Sequence, residues 1–153
     1  QAESKVTLSD MHLCCGACLK AVNKAVDGID GASVKLDKDA RTATITADDD
    51  ATAQKAVDAI AAAGFHGKSD SETVKMTANS GAKAGKVKRL ELIGVHNCCG
   101  GCNKAIKKSL ASVDGVEADT AKTKQSSFVV EGDFDAAALV KALNGAGFHV
   151  KVK

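Results

Sequence analysis

Apolar positions along the chain recur first with period two, then with a helical period, then with period two again, and the series is run through twice. Lys5–His12 predicts a strand with Val6 and Leu8 on one face. A helix follows from near Cys18, with Val22, Ala25, Val26 and Ile29 at helical spacing, ended by Asp27-Gly28 to Gly31. Ala32–Leu36 and Arg41–Ala47 predict two strands around an Asp37-Lys38-Asp39 turn. Asp48-Asp49-Asp50 places carboxylates at a helix start, where they complement the dipole, and reads as that rather than as a calcium site. The next helix carries Ala53, Ala56, Val57 and Ile60 and closes at Gly64, and a last strand starts at Phe65. The order is βαββαβ.

The second half repeats it. Lys88–His96 predicts a strand with Leu90 and Leu92, Cys102–Ala111 a helix with Ala105, Ile106 and Leu110. Val116–Ala121 and Ser127–Glu131 predict strands, Asp133–Leu143 a helix, and Phe148–Val152 the closing strand. The expected fold class is α+β. Two tandem ferredoxin-like βαββαβ domains each lay two helices on one face of a four-stranded antiparallel sheet. The domains are placed at residues 4–70 and 87–153. The Ser/Gly/Lys-rich stretch 71–86 reads as a flexible linker with a mean span of roughly 20–25 Å. Val74 to Met76 offers the alternative of an added edge to the first domain.

Composition narrows the function. No apolar run reaches the roughly 18 residues a membrane span needs, so no membrane insertion is expected. A net charge of +2 with no Trp or Tyr and only four Phe argues against nucleic acid. The start at Gln1, without Met, suggests a removed leader and an exported location, periplasmic or extracellular, with a cytoplasmic one as the alternative. No Ser-His-Asp pattern or phosphate loop is present, and no enzyme is expected.

The chemistry-bearing residues sit in two repeated phrases. All six cysteines lie in His12-Leu13-Cys14-Cys15-Gly16-Ala17-Cys18 and His96-Asn97-Cys98-Cys99-Gly100-Gly101-Cys102. The remaining histidines lie in Ala63-Gly64-Phe65-His66 and Ala146-Gly147-Phe148-His149. The cysteines repeat at an interval of 84 residues. Thiolates select soft ions such as Cu(I) or zinc over magnesium and calcium. Two residues between cysteines let both sulfurs reach one ion, and a helix N-terminus favours the thiolate.

A CxxC at the first strand–helix junction of a βαββαβ unit resembles the heavy-metal-associated domain, and the resemblance covers nearly the whole chain, twice. It implies soft-metal binding, often Cu(I) in near-linear geometry, by Cys15 with Cys18 and by Cys99 with Cys102. The loops depart from the family's usual Gly-Met-Thr-Cys-x-x-Cys. His12 and His96 stand at the Gly position, Leu13 and Asn97 at the Met position, Cys14 and Cys98 at the Thr position. Asn97 is harder to bury than Met, so a looser second loop is expected. The added residues suggest a His-x-Cys-Cys-x-x-Cys site.

Cys14 and Cys98 are read as further ligands, the alternative being small buried fillers. His12 and His96 share strand parity with Leu8 and Leu92. They are either ligands or caps on the sheet edge. His66 and His149 are weaker candidates, placed near the loops with a surface or proton-coupled role as the competing reading. Lys20, Lys24, Lys104, Lys107 and Lys108 on the first helices either guide an acidic partner or form an ordinary solvated face.

The leading expectation is a tandem-domain metallochaperone or sequestering protein for Cu(I), with a metal transporter or recipient protein as partner. Zn(II) or another soft metal is the alternative ion, and iron–sulfur spacing is absent. Competing readings are a thiol–disulfide or electron-transfer protein, and a structural zinc or multinuclear centre joining the two domains.

Overall fold

In the computed structural model, residues 3–153 are described. The elements are β1 (Ser4–Ser9), α1 (Gly16–Asp27), β2 (Ala32–Asp37), β3 (Thr42–Ala47), α2 (Asp50–Ala62) and β4 (Lys68–Ser69). The second half has β5 (Lys86–Ile93), α3 (Gly100–Ala111), β6 (Val116–Asp119), β7 (Phe128–Asp135), α4 (Ala136–Gly145) and β8 (Lys151–Val152). Each half forms a four-stranded antiparallel sheet, in the orders β2-β3-β1-β4 and β6-β7-β5-β8. These are two tandem ferredoxin-like domains.

Alternation does the work in each sheet. Val6 and Leu8 of β1 and Ala43, Ile45 and Ala47 of β3 are buried. They pack in one core with Cys18, Val22 and Val26 of α1 and Val57 and Ile60 of α2. The same cluster continues into the second half with Leu92, Val130, Phe134, Ile106, Leu110, Leu139 and Leu143. The Asp48–Asp50 run is a helix start. Asp49 caps α2 by accepting from Thr52 N at 2.8 Å, and Asp50 accepts from Ser4 Oγ at 2.6 Å.

Several boundaries differ from those the periodicity predicts. β7 runs on to Asp135, and α4 starts at Ala136 rather than Asp133. Asp135 is the true cap, accepting from Ala138 N at 2.9 Å. β6 carries a register shift between Val116 and Ala118 and ends at Asp119 instead of Ala121. The first strands end earlier than expected, at Ser9 and Ile93. Asp10 (φ 58°) and Gly94 (φ 82°) then turn the chain into the left-handed region. That turn breaks the strand parity on which the sheet-edge placement of His12 and His96 rested. Met11 and Val95 enter the core instead, both buried.

Residues 70–85 carry no helix or strand. Val74 is buried, and Lys75 exchanges hydrogen bonds with the Gln54 side chain. Farther on, Ser80 O accepts from Val152 N at 2.8 Å, and Gly85 N donates to Asp135 Oδ2 at 2.9 Å.

The two domains meet through the repeated Gly-Phe-His phrases. Phe65 and Phe148 form an antiparallel bridge. His66 N donates to Gly147 O at 2.9 Å, and His149 N donates to Gly64 O at 3.0 Å. Gly64 (φ 94°) and Gly147 (φ 96°) need to be glycine on two counts. An added Cβ would overlap the backbone N of His96 at the first, and that of His12 at the second. This contact brings the two cysteine loops face to face.

Candidate metal centre

Each cysteine loop ends by starting a helix. Cys15 and Cys99 occupy the N-cap positions of α1 and α3, with φ/ψ of −155°/174° and −152°/175°. Both sulfurs face the other loop, Cys15 toward Cys98 and Cys99, and Cys99 toward Cys14. Cys18 and Cys102, in the first turns, are fully buried. Beneath the loops, Leu13 and Asn97 are the buried plugs. Asn97 Nδ2 donates to Asn103 Oδ1 at 2.9 Å and to Lys122 O at 3.1 Å, while its Oδ1 is buried without a hydrogen-bond partner. Its backbone O accepts from Lys124 N at 2.7 Å. Of the two polar groups of the Asn97 side chain one is thus paired and the other is not, so the burial cost expected of an asparagine at this position is met only in part.

All six thiols are free and converge in one cluster. Within the loops, Cys14–Cys18 and Cys98–Cys102 stand at 3.7 and 3.6 Å, and Cys15–Cys18 and Cys99–Cys102 at 3.9 Å. Contacts between the loops are as short. Cys14 lies 3.6 Å from both Cys99 and Cys102, and Cys15 lies 3.7 Å from Cys98 and 3.8 Å from Cys99. Cys18 reaches Cys98 at 3.9 Å and Cys102 at 3.8 Å.

These separations bear on coordination. With metal–sulfur bonds of about 2.3 Å, sulfurs lie about 4.6 Å apart across a linear ion, about 4.0 Å in trigonal geometry and about 3.8 Å in tetrahedral geometry. The cluster matches the last two. Adjacent unit charges at such distances repel by about 4 kcal/mol at an effective dielectric of 20. Six bare thiolates would not stay together, so protons or cations must separate the charges.

The thiols divide accordingly. Burial, then hydrogen bonds donated to neighbouring sulfurs, push Cys14 and Cys98 far above the ordinary thiol range. The backbone N–H of Cys18 foremost holds Cys15 below it, and that of Cys102 does the same for Cys99. Cys102 is drawn down to about 6, chiefly by the hydrogen bond from the Cys18 thiol. Without a metal the thiols thus hold protons that a soft cation would displace.

His12 and His96 join the cluster, each through the opposite domain. His12 stacks on Phe148 with ring centroids 4.4 Å apart, and His96 stacks on Phe65 at 4.3 Å. The Nε2 of each is buried and has no hydrogen-bond partner. Burial, offset in part by Cys18, lowers the His12 pKa and keeps the imidazole in its ligating neutral form. His12 with Cys14, Cys18 and Cys102 forms one group whose donor atoms all lie within 4.8 Å of one another. His96 with Cys98, Cys102 and Cys18 forms a second, and Cys14, Cys15 and Cys99 a third. Soft sulfurs plus unpartnered imidazoles fit a soft metal.

His66 and His149 are placed elsewhere. Their rings stack on each other, with Nδ1 atoms 3.0 Å apart, and among the described residues neither belongs to a metal-holding group. They clasp the domain contact. The sequence signal was present, since Gly-Phe-His recurs, but its meaning needed the docked pair. A cavity of about 700 Å³ beside His66 is lined by Asp10, Met76 and Asn144 among others and by no cysteine.

A sequence profile of the heavy-metal-associated domain matches residues 5–66 and again residues 92–149. The chain belongs to the heavy-metal-associated domain family. Family members bind soft metals, in keeping with the donor groups above. Among solved structures, the N-terminal soluble domains of Bacillus subtilis CopA are similar at 16% identity, covering 99% of this chain and 95% of that one, with a TM-score of 0.36. The water-soluble region of the P-type ATPase CopA from Bacillus subtilis is similar at 16% identity, covering 99% and 92%, with a TM-score of 0.35. No curated protein sequence matches the chain. No helix among the described residues is long and apolar enough to cross a membrane.

Proposed function

We propose that this protein is a non-enzymatic carrier or store for Cu(I), held in one thiolate centre that the two domains share. The observation that carries the reading is the interleaving of all six sulfurs across the domain contact, for example Cys14 with Cys102 at 3.6 Å and Cys15 with Cys98 at 3.7 Å. Thiolates favour Cu(I) among abundant ions. Cys15 and Cys99 are partly exposed, and their lowered thiols suit ligand exchange with a transporter or recipient protein. Of the helix lysines, Lys107 is already paired with Asp119 at 2.6 Å, which leaves the others for docking.

Cu(I) titration under reducing conditions against a competing chelator tests the reading. Binding with visible luminescence, excited in the near ultraviolet, from a shielded Cu(I)–thiolate centre is expected. Affinity no higher than that of a variant without cysteines would sink it.

A second reading is a structural zinc centre that joins the domains. Two three-cysteine, one-histidine groups favour it. Thermal melts with and without chelator separate the two: a carrier stays folded when empty, whereas a structural centre unfolds or its halves part.

A further inference from the structure

The metal-holding groups are related by the same exchange that relates the domains. His12 and Cys14 stand on one side, His96 and Cys98 on the other, and Cys18 and Cys102 belong to both groups. Those two shared sulfurs are fully buried and 3.8 Å apart at the middle of the contact. On each flank an imidazole Nε2 is buried with no partner. One ion could not use this set, because the two histidines serve different groups.

We propose that Cys18 and Cys102 are bridging thiolates joining two soft-metal ions, one completed by His12 and Cys14 and the other by His96 and Cys98. The inference rests on the shared-centre reading and deepens it. It replaces one ion per CxxC with an inner pair of ions that neither domain can assemble alone. Cys15 and Cys99, 3.8 Å apart and partly exposed, stay outside the pair, and Cys14, the exposed cysteine, is its solvent-facing ligand.

The geometry also selects the charge of the ion. With metal–sulfur bonds of about 2.3 Å, two ions on a shared sulfur edge of this length lie about 2.6 Å apart. Two monovalent ions repel a quarter as strongly as two divalent ions at that distance. A shared edge this short therefore favours Cu(I) over Zn(II). The N-termini of α1 and α3 meet the centre at Cys15 and Cys99 and offset part of the remaining negative charge.

The test is X-ray absorption on the full chain loaded with two equivalents of Cu(I), with native mass spectrometry on the same samples. The expected result is one two-copper species with a copper–copper vector near 2.6 Å and a nitrogen contribution at each ion. Cys18→Ser and Cys102→Ser should each abolish the vector, while Cys15→Ser should retain it. Independent CxxC sites would instead show two-sulfur linear copper without the vector, and Cys15→Ser would cost as much copper as Cys18→Ser. Two bound ions without the vector in the wild-type chain would overturn the bridge and leave the carrier reading standing. No tight copper at all would overturn both. The wild-type measurement depends on no variant folding.

Discussion

The two metal loops differ where they were expected to matter most and are alike where they act. Beneath the first lie Met11 and Leu13, and beneath the second Val95 and Asn97, all buried. Yet the two N-cap cysteines share their backbone angles to within a few degrees. The loop shape therefore does not depend on what plugs it. A left-handed residue ahead of the loop, Asp10 or Gly94, and a helix start behind it set the path. The plug is held by apolar contact in one copy and, in the other, by the hydrogen bonds of the amide Nδ2, with Oδ1 left unpartnered.

The severest way to break the likeness is at the exchange of aromatic contacts. Phe65 and Phe148 are fully buried, and each supports the other domain's loop histidine. Phe148→Ala or Phe65→Ala should cost about 3–5 kcal/mol of stability, read by denaturant unfolding. Each should also disturb metal binding by the opposite domain's loop, and a loss confined to its own domain would contradict the swapped arrangement.

The plugs themselves come next. Leu13→Ala should cost about 2–5 kcal/mol through the cavity it leaves. Asn97→Ala should cost less, about 1–3 kcal/mol, by stranding the Lys122 carbonyl and the Asn103 amide. Equal costs would mean that packing alone holds both loops.

The smallest effect is a pH dependence at the His66–His149 clasp. Burial lowers the pKa of His66 from 6.5 to about 4, and the neighbouring His149 adds to this. Burial, with Lys151 nearby, lowers that of His149. Below pH 6.5 the unfolded chain then binds protons that the folded chain refuses, so stability is full at neutral pH and falls as pH drops toward 4. The Tm should decline over that window, and His66→Gln should flatten the decline. A wild-type Tm that is level there would mean that the clasp does not couple to folding.

Much of the fold was legible because it is local. Alternation in β3 and the helical spacing of Ala53, Ala56, Val57 and Ile60 mark their elements without reference to anything distant. The misjudged boundaries lie where one residue changes the phase. Asp10 at positive φ ends the strand parity that the pattern carries on to His12, and Asp133, two residues ahead of the true cap at Asp135, offered a second capping carboxylate. The partners of Asn97 Nδ2, Lys122 and Asn103, are set by the tertiary path and leave no signal in the local pattern.

The sequence by itself determined two βαββαβ units, a CxxC at each first helix start, and soft donors gathered in a repeated phrase. Period-two and helical patterns, and the dipole at a helix start, are properties of short stretches of chain. Only the tertiary structure decided which sulfurs meet. It set Cys14 against Cys102 and His12 on Phe148, and it gave the Gly-Phe-His phrases their purpose as the docking surface. Those pairings join residues more than eighty positions apart. They depend on two domain faces fitting together, and no local period records that.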